Sequence, residues 1–164
     1  MMTRSGRFLV IGGLLLAVWG MTYGLYYAVF VEHQTLDTIG GSLAGAFVHA
    51  AEQASQQSQA SMQAYASANY VYVRQVDAHG HWIGLGLLLV VLGIAFSRVG
   101  FSESARMALA SALIAGAILF PLGVLLETVM QGSIPKAVAV LGSALVIASL
   151  AGIALGFSRD RSTA

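Results

Sequence analysis

The sequence predicts an all-α protein: a four-transmembrane-helix bundle with an extra helix in the outer loop between helices one and two. Hydrophobic residues make up 57% of the 164 residues and charged residues only 9%, whereas soluble domains carry about 25% charged residues. Four apolar stretches approach the roughly 20 residues that a bilayer-spanning helix needs. Backbone polar groups in lipid must bond within their own segment, so we expect each stretch to be helical.

We expect one integral membrane domain, 1–164, with spans at about 8–31, 79–98, 106–127 and 136–157 and an outer loop at 32–78. The first apolar stretch is longer than the roughly 7–15 apolar residues of a signal peptide, so it is predicted to be a retained helix. The second apolar run begins only at Trp82. It reaches spanning length if His79 and His81 belong to its first turn, which puts both histidines at the membrane interface.

Residues 32–78 are predicted to form one long connection on the outer side. Gly40 and Gly41 are expected to break any continuation of helix one, because glycine disfavours helix interiors. A further helix is then expected from about Ser42 to Ala68, where alanine, serine and glutamine predominate. This weakly amphipathic segment is either a solvated helix above the membrane or a surface that binds a partner.

Small residues at helical spacing predict close packing between the spans, since lipid itself does not drive helices together. Helix one carries Gly20-x-x-x-Gly24, and helix four repeats the pattern with Gly152 and Gly156. Pro121 is expected to kink helix three.

The basic residues predict the topology. Six of the eight lie before helix one, between helices two and three, or after helix four, and only Arg74 and Lys136 lie elsewhere. The positive-inside rule then predicts a multi-pass protein of the cell inner membrane with both termini cytoplasmic. Cysteine is absent, which excludes disulfides and thiolate metal sites. The net charge of +1 argues against a nucleic-acid partner.

The segment Asp77-Ala78-His79-Gly80-His81 is the candidate functional element, because polar side chains near hydrocarbon are costly and usually functional. Residues two apart on a helix lie about 200° around its axis, so only one imidazole can face a point inside the bundle. In an extended chain both would share a side with Asp77. The segment indicates a metal centre, most simply the iron of a haem. The alternative is a pair of interfacial histidines that change charge with pH.

Other ligands and a pocket are also predicted. By depth, His33 and Glu127 are candidate second ligands, and a site with only nitrogen and oxygen donors favours zinc, copper(II) or non-haem iron. An apolar pocket could admit a small hydrophobic ligand from the lipid. Its expected lining is Trp82, Leu85, Gly86, Phe120 and Gly123.

Three segments resemble the styrene oxide isomerase family. These are Ala78-His79-Gly80 at the start of helix two, Val99-Gly100-Phe101 after it, and Ser104-Ala105-Arg106 opening helix three. The resemblance covers 75–157 and extends to helix one only by overall plan. It implies haem b with His79 as axial ligand and a homo-oligomer, specifically a trimer. It also implies Lewis-acid isomerisation of a small hydrophobic epoxide to an aldehyde.

Two positions depart from the family pattern and leave enzymatic activity open. The family's asparagine corresponds to Leu85, and its tyrosine falls near Leu122 and Gly123. One alternative is a haem-binding electron-transfer or sensor subunit, for which His33 or His81 would supply a second axial ligand. Another is a metal-free membrane scaffold whose outer helix binds a partner.

Overall fold

A computed structural model describes residues 2–130 and 132–159. Within these ranges helices are joined by short turns, and there are no strands. The helices are α1 (Arg4–Phe30), α2 (Glu32–Ala51), α3 (Ser55–Ala95), α4 (Glu103–Leu126) and α5 (Ser133–Arg159), and a short 3-10 turn (Phe96–Arg98) follows α3. Helices α1, α3, α4 and α5 are each long and apolar enough to cross a membrane. The prediction of an all-helical chain with four candidate spans is therefore confirmed.

The outer connection differs from the prediction. The helix expected from Ser42 to Ala68 is not one element, because the chain turns at 52–54. The break expected at Gly40 and Gly41 is also wrong, since both glycines lie inside α2. Each glycine costs a helix about 1 kcal/mol. Helix α2 nevertheless packs along α3, and Ser58 Oγ donates to the Ala46 carbonyl at 3.0 Å.

Helix α2 ends at a residue with left-handed backbone. Gln53 has φ +57°, its N–H donates to the Ala50 carbonyl, and the Ala54 N–H donates to the His49 carbonyl. These two bonds define a Schellman motif, in which glycine usually occupies the left-handed position. The turn reverses the chain, so that α3 runs back along α2 and then along α1.

Helix α3 is longer than a membrane span. Its 41 residues correspond to about 62 Å at 1.5 Å per residue, whereas the hydrocarbon core of a bilayer is about 30 Å thick. Only its second half is strongly apolar. The part of α3 that precedes Tyr70, which bonds to Glu127 at the end of α4, therefore forms a helical hairpin with α2 beyond the four candidate spans.

Helices α1 and α3 pack as an antiparallel pair with a glycine seam. A Cβ atom on Gly86 would lie 2.7 Å from the Gly13 carbonyl oxygen and 2.8 Å from the Ala17 nitrogen, so the two backbones are in direct contact. Small residues allow this approach. The contacts repeat every seven residues, pairing Gly6 with Gly93, Gly13 with Gly86, and Gly20 with His79.

Helices α4 and α5 form a second antiparallel pair of the same kind. A Cβ atom on Gly123 would overlap the backbone of Ala139, and one on Gly142 would overlap the backbone of Phe120. Pro121 is buried within α4, which continues beyond it to Leu126. Close backbone packing on both sides of the proline keeps this end of α4 in place.

The two pairs join through α4, which packs against both α3 and α1. Ser5 donates its backbone N–H to Glu103 Oε1 at 2.8 Å, which satisfies a free donor at the start of α1. The Gly100 N–H donates to the Gly156 carbonyl at 2.9 Å. The start of α1, the start of α4 and the end of α5 therefore lie at one end of the bundle, and His79 lies towards the other.

Candidate functional site

His79 lies in the α1–α3 seam, seven residues before Gly86, at the position where the next seam glycine of α3 would stand. Its half-buried ring packs against α1, and a Cβ atom on Gly24 would lie 3.0 Å from its Cδ2 and 3.5 Å from its Nε2. Its Nδ1 lies 3.1 Å from the Gln75 carbonyl oxygen. A carbonyl can only accept, so Nδ1 carries the proton and the neutral ring has its lone pair on Nε2.

His81 faces a different helix. Its Nδ1 lies 2.6 Å from the Asp77 carbonyl oxygen, and its exposed ring stands edge-on to Phe120 of α4, with centroids 4.8 Å apart. His79 contacts α1 instead, as the angle of about 200° between the two positions requires. The two imidazoles therefore do not converge on one point.

Gln75 connects His79, α1 and the region after α4 through hydrogen bonds. The Tyr23 hydroxyl of α1 donates to Gln75 Oε1, and Gln75 Nε2 donates to Thr128 Oγ1 at 3.4 Å, just beyond the end of α4. The carbonyl of the same residue orients the His79 ring. Sequence reasoning missed Gln75, although its position four residues before the histidine on one helix was an available signal.

The candidate second ligands have other partners. His33 lies 3.5 Å from Asp37 on α2, with its side chain 88% exposed. Glu127 Oε2 accepts a 2.7 Å hydrogen bond from the Tyr70 hydroxyl and lies 3.5 Å from Arg74. Within the described ranges, no three histidine, aspartate or glutamate side chains form a group that could hold a metal ion. The structure therefore does not gather His33 and Glu127 with His79 into such a site.

Arg74 completes the cluster around Glu127. Its guanidinium lies 5.1 Å from the centre of the Tyr70 ring. The pKa of Arg74 is raised, first by hydrogen bonding with Tyr70 and further by the charge of Glu127, while burial opposes the rise. The guanidinium stays charged and balances the carboxylate. Tyr70 and Arg74 were not among the predicted site residues.

The five predicted pocket residues lie in different surroundings. The two glycines fill the helix seams instead: Gly86 against α1 and Gly123 against α5. Trp82 lines an apolar groove of about 600 Å³ between α1 and α4, where its ring packs edge-on to Tyr23. Leu85 lines a separate cleft of about 480 Å³ beside His81, and Phe120 contacts His81. The helix backbones can approach this closely only because Gly86 and Gly123 lack side chains, and both glycines are therefore covered by the neighbouring helix.

A scan against protein-family models and searches of curated proteins and solved structures found no match for this chain. Its class follows from its own geometry. Over the described residues it is helical, with four helices long and apolar enough to cross a membrane, and it holds an oriented, half-buried imidazole in the seam between two of them.

Proposed function

We propose that this chain is a membrane protein that binds haem b through His79. The observation that carries the proposal is the contact between His79 Nδ1 and the Gln75 carbonyl. Histidines that bind metals almost always donate the other ring N–H to a carbonyl or carboxylate, which fixes both tautomer and orientation. His79 has this arrangement, with Nε2 left for the iron, and a proximal histidine is a standard haem ligand.

The four histidines differ in ways that favour His79. His33 and His49 each lie 3.5 Å from a carboxylate, Asp37 and Glu52 respectively, on the projecting hairpin. His81 has an oriented ring but is exposed. His79 combines orientation with partial burial at the start of the apolar part of α3.

The number of protein ligands supports haem over a bare metal ion. A structural or catalytic zinc site takes three or four protein ligands, and the described residues contain no such group. A porphyrin supplies four nitrogens of its own, so one histidine is enough. Val76 and Ile83 lie three residues before and four after His79, which places apolar side chains on its helix face.

As the reaction, we propose isomerisation of a small hydrophobic epoxide, taken up from the lipid. Haem iron, when bound, would supply a Lewis acid that polarises an oxygen without a redox cycle. Support comes from the engagement of His33 and Glu127 with other partners, which favours an open coordination position. Leu85 and Leu122 stand where the resembling family has polar residues, so any proton transfer would need other groups. The protein is further proposed to be a homo-oligomer of the inner membrane with cytoplasmic termini.

The absorption spectrum of the purified protein tests haem binding directly. We expect a Soret band that is lost in His79→Ala and retained in the matched control His81→Ala, since only His79 is half-buried with an oriented ring. A colourless preparation after expression with added haem would refute the proposal. It would favour the metal-free scaffold, whose function would lie in the projecting hairpin.

Ligand binding separates catalysis from electron transfer. If one coordination position is open, azide or imidazole should shift the spectrum of the ferric protein. A low-spin spectrum that ignores both ligands would instead indicate two axial protein ligands and favour the electron-transfer or sensor role. His81→Ala and His33→Ala would then identify the second ligand.

A further inference from the structure

A second cleft lies away from His79, between the outer half of α3, the end of α4 and the start of α5. It has a volume of about 610 Å³, and Ser67, Tyr70, Glu127, Thr128 and Lys136 supply its polar atoms. No step of the proposed haem chemistry uses these groups. The cleft is within the 300–1,000 Å³ range typical of ligand sites.

The charges in this cleft leave a positive surplus. The Glu127 side chain is only 13% exposed, and its charge is balanced by Arg74 at 3.5 Å. Its Oε2 also accepts the hydrogen bond from Tyr70. For Lys136, no described carboxylate lies within the 4.0 Å that defines an ion pair. The ammonium group of Lys136 is therefore available to an anion.

The position of the cleft indicates the headgroup layer of a membrane. It lies where α4 ends at Leu126 and α5 begins at Ser133, at the ends of two candidate spans. Beside it, Val129 and Ile134 are 75% and 65% exposed, which places open apolar surface next to the charged group. A molecule with an anionic head and apolar chains matches both features, whereas free phosphate matches only the first.

We propose that this cleft binds the phosphate group of a membrane phospholipid. The Lys136 ammonium pairs with a phosphate oxygen, and the Ser67 hydroxyl donates a further hydrogen bond. The acyl chains lie along the exposed apolar surface at Ile134. Lysine is a common phosphate ligand as a compact point charge. The proposal is independent of haem, because it uses none of the groups around His79.

The test uses the full chain in dodecyl maltoside with dihexanoyl phosphatidylglycerol as the probe. Binding is followed by native mass spectrometry and by the rise in thermal midpoint. Dihexanoylglycerol, which lacks the phosphate, and inorganic phosphate alone are measured in parallel. We expect binding of the phospholipid only, weakened about tenfold in Lys136→Gln, as loss of one charge-assisted contact implies.

Two further variants serve as a charge control and a cleft-filling control. Arg98→Gln removes an exposed charge at the opposite end of the spans and should leave this binding unchanged. Ser67→Trp leaves every charge in place but fills the cleft, and it should abolish the binding. Equal binding by wild type, Lys136→Gln and Ser67→Trp would overturn the proposal. Binding of inorganic phosphate without the phospholipid would overturn the lipid assignment. The Soret band should be the same in all three variants.

Discussion

The antiparallel register of α1 and α3 determines where His79 lies, and a pair of glycine substitutions tests it. Gly86 faces α1, where an added Cβ atom would lie 2.7 Å from the Gly13 carbonyl oxygen. Gly84 lies two residues away on the same helix, and an added Cβ atom there would meet nothing within 4 Å. The substitutions Gly86→Ala and Gly84→Ala therefore differ in packing, while both replace glycine by alanine within α3.

The size of the difference follows from these contacts. Carbon and carbonyl oxygen approach to about 3.3 Å in close helix contacts, so Gly86→Ala must separate the backbones by about 0.6 Å. Overpacking of this kind costs about 1–3 kcal/mol. Both variants gain about 1 kcal/mol in helix propensity, which cancels in the comparison. We expect Gly84→Ala to be stabilised by about 1 kcal/mol, and Gly86→Ala to be less stable than Gly84→Ala by about 1–3 kcal/mol.

The assay is reversible unfolding in mixed detergent micelles, with helicity measured by circular dichroism as the denaturing detergent is increased. Gly80→Ala is a second control, since its added Cβ atom would also meet nothing within 4 Å. Equal stability of Gly86→Ala and Gly84→Ala would refute the register. A Gly84→Ala variant less stable than wild type would show that this face of α3 is covered by something in the micelle.

Three further predictions concern other parts of the chain. Gln53→Gly should raise stability by about 1 kcal/mol in the same unfolding assay, because glycine adopts the left-handed conformation without strain; an unchanged or lower stability would contradict the Schellman turn. Gln75→Leu should lower stability by about 1 kcal/mol through loss of its bonds to Tyr23 and Thr128. It should keep the Soret band, because the carbonyl that orients His79 remains; loss of haem would show that the side chain itself is needed. A periplasmic reporter fused after Phe157 should be inactive if the termini are cytoplasmic, and an active reporter would reverse the predicted orientation.

Composition alone predicted the helical class. Few charges and four long apolar stretches leave no other way to satisfy the backbone in lipid, and the structure has four helices of the required length. Helical periodicity predicted that His79 and His81 would face different neighbours if this segment is helical rather than extended, and both lie on one continuous helix. These features depend on local sequence, so they could be deduced without tertiary contacts.

The outer segment shows where local reasoning failed. Gly40 and Gly41 are weak helix formers, yet they lie inside α2, which packs along α3. The reversal at Gln53 carries no glycine to mark it. In both places the chain adopts a conformation that single-residue propensities of about 1 kcal/mol disfavour.

The surroundings of the predicted pocket residues also depend on tertiary packing. Gly86 and Gly123 were expected to line a cavity, but each is the point where two helix backbones touch. A glycine in a membrane helix can line an open cavity or allow a neighbouring helix to pack directly against it, depending on whether its face of the helix meets that neighbour. Only the packed pairs α1–α3 and α4–α5 decide this.

The sequence by itself determined that the chain is helical, how many helices could span a membrane, and that two histidines directly precede the second apolar run. Tertiary structure alone decided that the Gln75 side chain joins Tyr23 to Thr128, that Glu127 is paired with Arg74 and Tyr70, and that a charged cleft forms beside Lys136. The physical reason is the sequence separation over which each interaction acts. Hydrophobicity and helical period act along the chain, whereas hydrogen bonds, ion pairs and cavities depend on which helix faces meet.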